Sequence, residues 1–322
     1  MINLSILMCV FISKNGKIYK FFDNIESAIQ IRSENASTAA YFTASVEKME
    51  KFTKWFLYSF QITFVFLMLP MLVITLYTFF TDGLQTEDYQ LPFFVWQPFN
   101  WRRPIGYLIA YTLQCGAVHY LFMYCVIWNA FQVITSLLFV TFAKDAKQEL
   151  KNINELNKTG GNEAETIKRF HKIIQYIVDA KQFVSDYNHI YMFAILTFLT
   201  WGILTVCGTL MMIQIELSQE HTDWASFVIS FFQLFWTFVL MFLLCYSGQE
   251  VTGAFDDLMY EVYQCEWDSF PHPLRRILPI LLIFMKEPVQ IIAYGGVNCS
   301  LKRFKKIVNG GYSYYAILRE FY

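Results

Sequence analysis

The sequence is short of charge: Asp, Glu, Lys and Arg make up 16% of its 322 residues, against 56% hydrophobic and 19% aromatic. Soluble domains carry roughly a quarter charged residues, so no water-solvated surface can be built from this supply. The charges nearly cancel, to a formal net of −1, and leave no basic footprint for a nucleic acid. No HExxH, GxSxG, phosphate-binding loop or dinucleotide fingerprint occurs. With no nucleophile to activate and no Gly-rich cradle, the chain is not read as an enzyme and no cofactor is implied. Cys9, Cys115, Cys125, Cys207, Cys245, Cys265 and Cys299 stand singly, without a CxxC pair, which excludes a disulfide framework. Cys115 with His119, and Cys265 with His272, offer two ligands each, short of the four in a structural zinc site, so no metal is assigned. The opening MINLSILMCVFI has neither the basic start nor the cleavage site of a signal peptide. It reads as the tail of a helix whose beginning is missing.

What the sequence has is long apolar runs. Trp55–Thr81, Pro104–Ala143, Tyr187–Ile215 and Trp224–Gln249 are free of charge, and each exceeds the ~20 residues that span a bilayer as a helix. The fold class is therefore all-α, a multi-pass bundle in a lipid bilayer. A further apolar stretch, Ile277–Tyr322, is broken by Lys286, Glu287 and Pro288, then by Lys302, Arg303, Lys305 and Lys306. It reads as a re-entrant or cytosolic piece followed by a last, short span. The expected organisation is a helix remnant over 1–12, a cytosolic loop over 13–54, and four spans with cytosolic extensions over 55–249. A cytosolic loop and helix over 250–300 and a final span over 301–322 complete it.

Lys and Arg in loops set orientation. Residues 13–54 hold Lys14, Lys17, Lys20, Arg32, Lys48, Lys51 and Lys54, and 144–172 hold Lys144, Lys147, Lys151, Lys158, Lys168, Arg169 and Lys172. The loop 82–103 has only Arg102 and Arg103, and 216–223 has neither Lys nor Arg. The two basic segments are thus placed in the cytosol and the C-terminus outside. Glu250–Pro273, cytosolic by the same count, is acidic, but acidic residues weigh little in this rule. Asn35, Asn157 and Asn298 begin glycosylation triplets, and this orientation keeps the first two from the glycosylation machinery.

The helices around Ala143 and Tyr187 continue past the bilayer as KDAKQELKNINEL and from about Thr166. They outrun it by roughly six turns in total at ~1.5 Å per residue. Ile173, Ile177, Ala180 and Val184 form an apolar stripe on the second projection, which requires a neighbouring helix or another subunit.

Aromatic rings gather on outer half-helices: Tyr77, Phe79 and Phe80, then Tyr107 and Tyr111, then Phe227, Phe231, Phe232 and Phe235. Such rings either line an apolar cavity for a small volatile or lipid-like ligand or pack against lipid and neighbouring helices. Tyr77, Tyr107, Tyr111, Phe231 and Phe235 are the candidate contacts. In the last span the charge-free part, Ile307–Leu318, is too short for a lipid-surrounded helix. Helical spacing puts Gly310, Ser313, Ile317 and then Glu320 or Phe321 on one stripe. An apolar ring beside an acidic one can gate a cation pore; the same composition suits a tightly packed interior helix.

The C-terminal third resembles the insect odorant receptor family. The matching residues are Cys245-Tyr-Ser-Gly248, Val262-Tyr-Gln-Cys-Glu-Trp267, Arg275-Arg276 opening an apolar helix that reaches Pro288, Ala293-Tyr-Gly-Gly296, Phe304 and Tyr312-Ser-Tyr-Tyr-Ala-Ile-Leu318. Leu91-Pro-Phe-Phe-Val-Trp96, with Pro98, Phe99 and Trp101, fits as well. The resemblance implies seven transmembrane helices with a cytosolic N-terminus, opposite to G-protein-coupled receptors. It implies an odorant-gated cation channel in the plasma membrane of an olfactory neuron dendrite. There an odorant-binding subunit joins a shared co-receptor in a heterotetramer around a pore lined by the last helix. Ile317 then falls at the hydrophobic gate and Glu320 at a polar pore position, and the helical stripe adds Ser313 and Phe321 as pore candidates. The overlong helices match the family's cytosolic anchor. Against the family pattern, helix one and the outer half of helix two are missing before Met1. A non-conducting membrane receptor or scaffold working through G proteins is the alternative, and it would place the C-terminus inside.

Overall fold

The computed structural model describes residues 15–33, 44, 47–48, 50–59, 61–65, 73, 104–158, 163–218 and 224–320. The opening segment, the loop around Trp96 and most of Trp55–Thr81 lie outside them. In order, the described elements are α1 (Asn15–Ser33), α2 (Pro104–Lys158), α3 (Glu163–Ser218), α4 (Trp224–Gln264) and a 3-10 turn (Trp267–Ser269). Then come α5 (His272–Met285), strands β1 (Ile292–Ala293) and β2 (Val297–Asn298), and α6 (Leu301–Arg319). The strands pair antiparallel, Ile292 with Asn298 and Ala293 with Val297. Helix α1 lies in the segment read from sequence as a loop.

The long helices follow from what interrupts them and what does not. Pro104 opens α2, at a position whose N–H has no partner to lose, and no proline follows within its 55 residues. At ~1.5 Å per residue α2 is ~80 Å long, well over twice a ~30 Å hydrocarbon core. α3, of 56 residues, begins with Glu163 and Glu165, acidic groups that suit the positive end of a helix. Among the described residues three segments are long and apolar enough to cross a membrane: Met123–Leu156, Glu163–Ser218 and Phe227–Gln264. α6 does not qualify.

The chain forms two compact units. The first takes in 1–49, 132–211 and 234–322. Its core is built where α2, α3, α4 and the C-terminal elements bury aromatic and aliphatic side chains. Tyr187 lies at its centre, fully buried, with ring centroids 6.4 Å from Phe21, 5.7 Å from Phe139 and 5.0 Å from Tyr191. Phe142 meets Phe183 at 5.8 Å and Phe170 meets Phe270 at 5.6 Å. Ile173, Ile177, Ala180 and Val184 are all buried in this unit. The stripe that asked for a partner finds it within the chain.

Close approach in this unit depends on two glycines. A Cβ on Gly248 of α4 would lie 2.6 Å from the Cys299 carbonyl oxygen, and one on Gly311 of α6 would lie 2.7 Å from Val206 Cγ1. The second unit takes in 50–131 and 212–233. Within it Phe64 meets His119 at 4.8 Å, and Gln61 Nε2 donates to Met123 Sδ at 2.9 Å.

Candidate pore helix and aromatic sites

α6 starts on a defined cap. Ser300 has extended backbone, φ −151° and ψ 160°, and its hydroxyl accepts from the Arg303 N–H at 3.3 Å, which satisfies one of the donors a helix start leaves open. From there the helix runs unbroken to Arg319. Ile307 and Gly311, four apart, are buried. Tyr312, Ser313, Tyr314 and Ile317 are exposed, as is Glu320 at the helix end. Of the sequence-chosen pore residues, Ser313, Ile317 and Glu320 thus share the face turned away from the helix's own unit, and Phe321 lies outside the described residues. Ser313 does not leave its hydroxyl open: Oγ donates to Asn309 O at 2.8 Å.

The aromatic candidates are placed differently. Tyr107 and Tyr111 lie one turn apart on α2 with centroids 5.9 Å apart, at 6% and 5% exposure. Phe231 and Phe235, one turn apart on α4, are 54% and 50% exposed. Their nearest rings are those of their own helix, Phe232 at 6.3 Å and Trp236 at 5.9 Å. Tyr77 is outside the described residues. The structure brings the two tyrosine rings together, while each phenylalanine meets the ring that follows it in sequence.

Three polar residues of these helices carry no site assignment from the sequence. Gln132, on the charge-free run of α2, is 1% exposed, and neither its Nε2 nor its Oε1 has a hydrogen-bond partner among the described residues. A lone Gln in QVITSLLF was the available signal, since buried amides are normally satisfied. Lys181 of α3 donates to Phe284 O in the last turn of α5 and to Glu287 O just beyond it, and Asn188 of α3 donates to Gln290 O between α5 and α6. On a helix pattern they look like solvated positions.

Two buried thiols of the first unit, Cys265 and Cys299, are quiet. Burial pushes the Cys265 thiol up to about 11 and raises Cys299 further, with nearby Cys245 adding to the effect. Both stay protonated at neutral pH, and the thiolate is the reactive form. Among the described residues, no three His, Cys, Asp or Glu side chains converge as metal ligands would.

The 7tm odorant receptor family model matches residues 1–312. Odorant receptor 94a of Drosophila melanogaster is 26% identical over 279 residues, covering 84% of this chain and 66% of that protein. Odorant receptor Or2 of Anopheles gambiae is 27% identical over 159 residues, 49% of this chain and 39% of that one. The chain thus spans at most about two thirds of these relatives. The solved olfactory receptor OR5 of Machilis hrabei superposes with a TM-score of 0.71 at 16% identity, over 96% of this chain and 76% of that one. Its complex with eugenol gives 0.68 at 15% identity, over 88% and 70%. At such identities the likeness establishes the fold: an all-helical, membrane-type bundle of the insect olfactory receptor kind. With the family model matching nearly its whole length, this chain belongs to the odorant receptor family, a family of receptors rather than of enzymes.

Proposed function

We propose that the chain is the odorant-tuned subunit of a cation channel assembled with the odorant co-receptor, its last helix contributing to the pore. The observation that carries this is the two-sidedness of α6. Ile307 and Gly311 fasten one face to the chain's own core, while Ser313, Ile317 and Glu320 lie on the other. A face that mixes hydroxyl, apolar and acidic groups suits a water path better than lipid. On this reading Ile317 sheds water in the closed state and Glu320 concentrates cations at the mouth. Small volatile odorants bind among the outer aromatics Tyr107, Tyr111, Phe231 and Phe235, with Tyr77 as the fifth candidate. That the Machilis hrabei receptor is solved with eugenol supports a ligand of that size and apolarity.

The basic segments fix the topology of this proposal, with the N-terminal side cytosolic, the C-terminus outside and the protein in the plasma membrane. The test is current under an odorant panel, with and without the co-receptor. Odorant-evoked cation current that needs both chains is the expected result. Its absence across the panel at normal surface expression would overturn the channel reading.

A further inference from the structure

The segment between α5 and α6 runs alongside α3 and is fastened to it at three levels. Lys181 Nζ donates to the carbonyl oxygens of Phe284 at 2.7 Å and Glu287 at 3.3 Å, and lies 4.4 Å from the Phe284 ring centroid. It acts as a cap in trans at the C-terminal end of α5, where carbonyls lack helical partners and the dipole favours a cation. Two turns along α3, Asn188 uses both ends of its amide: Nδ2 donates to Gln290 O at 2.7 Å and Oδ1 accepts from Ile292 N at 3.0 Å. The side chain takes the place of a neighbouring strand. One turn further, the Tyr294 N–H donates to Met192 O at 2.9 Å. Positions 181, 188 and 192 share one face of a helix, and they meet the segment in rising order.

The attachment continues into the last helix. Ile292 pairs with Asn298 across the hairpin, whose turn holds Gly295 and Gly296 at φ 80° and 74°, the left-handed region glycine enters at no steric cost. The Cys299 N–H closes on Ile291 O at 2.9 Å, and Ser300 then caps α6. A run of hydrogen bonds therefore leads from Asn188 to the first turn of α6. Higher up, Gly311 packs on Val206 of the same α3. α6 is held to α3 at its base and at its middle.

We propose that Asn188, supported by Lys181, is a positioning residue that couples α3 to α6, so that movement of α3 reaches Ile317 instead of dissipating in the connecting segment. The coupling rests on the channel reading above. Ile317 lies 16 residues along a continuous helix from Leu301, ~24 Å at ~1.5 Å per residue, so a tilt of about 5° at the base moves it by about 2 Å. That displacement is on the scale of a pore constriction.

The experiment compares Asn188→Leu, Asn188→Asp, Lys181→Met and Lys181→Arg in the full chain with its co-receptor. It reads amide hydrogen exchange over 288–300, surface density and odorant-evoked current. Asn188→Leu removes two neutral hydrogen bonds of about 1 kcal/mol each, so exchange at Ile292 and Tyr294 should quicken about thirtyfold at 1.4 kcal/mol per factor of ten. Current per surface receptor falls with it. Asn188→Asp keeps the acceptor for Ile292 and loses the donor to Gln290, giving an intermediate effect. Lys181→Arg retains the response that Lys181→Met reduces. Wild-type exchange in Asn188→Leu overturns the attachment. Faster exchange with wild-type current at wild-type surface density overturns the coupling. If the unaltered chain passes no odorant current, the channel reading fails and the coupling with it, while exchange still decides whether the attachment exists.

Discussion

Replacing Gly248 with alanine probes the packing at the base of α6 most directly. The added Cβ would lie 2.6 Å from the Cys299 carbonyl oxygen and 2.7 Å from the Cys299 Cβ. Neither atom is a flexible tip. Cys299 is tied by its N–H to Ile291 O and followed at once by the Ser300 cap, so relief requires moving the hairpin or α4 itself. Overpacking of this kind costs about 1–3 kcal/mol. Against it stands the helix propensity gained from Gly to Ala, about 1 kcal/mol. The net expectation is a loss of up to about 2 kcal/mol. Gly202 on α3 provides the control, because its added Cβ would meet Met241 Cε and Sδ, the far end of an unbranched side chain that rotates aside. There propensity wins, and Gly202→Ala is neutral or stabilising by up to about 1 kcal/mol. Thermal melting of the purified protein in detergent, followed by tryptophan fluorescence, reads both at roughly 2–4 °C per kcal/mol. If Gly202→Ala lowers the midpoint as much as Gly248→Ala does, the distinction between rigid and flexible neighbours is wrong.

Further outcomes bear on topology, pore, pocket and core. Asn35 and Asn157 remain unglycosylated; a glycosidase-sensitive mass shift lost on mutating either would reverse the orientation. Ile317→Ser raises basal current and Glu320→Gln lowers divalent relative to monovalent permeability. Cysteines introduced one at a time at 313, 317 and 320 react with external thiol reagents in the presence of odorant. The buried, protonated Cys265 and Cys299 add little background, and silence at all three sites would place the pore elsewhere. Phe231→Ala and Phe235→Ala shift odorant potency at unchanged surface expression, whereas Tyr107→Ala and Tyr111→Ala also cost surface expression because both rings are buried. Equal potency in all four variants removes the pocket. Gln132→Leu removes a buried amide without partners among the described residues and should raise the melting temperature, since an unsatisfied polar group costs about 1–3 kcal/mol; a lower midpoint would mean that the amide is satisfied in the membrane.

The helices were legible in the sequence for a physical reason. Long charge-free runs without interior proline leave the backbone one way to satisfy its hydrogen bonds in lipid, and α2 and α3 follow those runs through into their polar extensions. The stripe Ile173, Ile177, Ala180 and Val184 was readable from spacing, although spacing could not say whether the cover came from this chain or another. What starts α6 was not readable. Charge-free composition reaches back only to Ile307 within a last span drawn over 301–322, and the helix begins at Leu301, where the Ser300 hydroxyl caps it ahead of Lys302, Arg303, Lys305 and Lys306. Asn188 escaped for the opposite reason. Its hydrogen bonds go to partners about a hundred residues away, and no local pattern distinguishes it from a solvated helix position.

α6 also constrains what surrounds the chain. Its charge-free part, Ile307–Leu318, is well short of the ~20 residues a lipid-facing span requires. Tyr312, Ser313 and Tyr314 lie exposed beside Ile317, and four cationic residues crowd its first turns, at the end of a helix where the dipole disfavours them. Lipid on that face would have to accept tyrosine hydroxyls at depth and an acidic Glu320 near the end. Water against it would have to be walled off from lipid on its far side, which a single chain's exposed face cannot do. Protein must therefore close the space in either case. The proposed assembly with the co-receptor would meet both requirements at once: neighbouring last helices would cover the flanks of the exposed face and leave its centre, at Ser313 and Ile317, to the proposed conduction path.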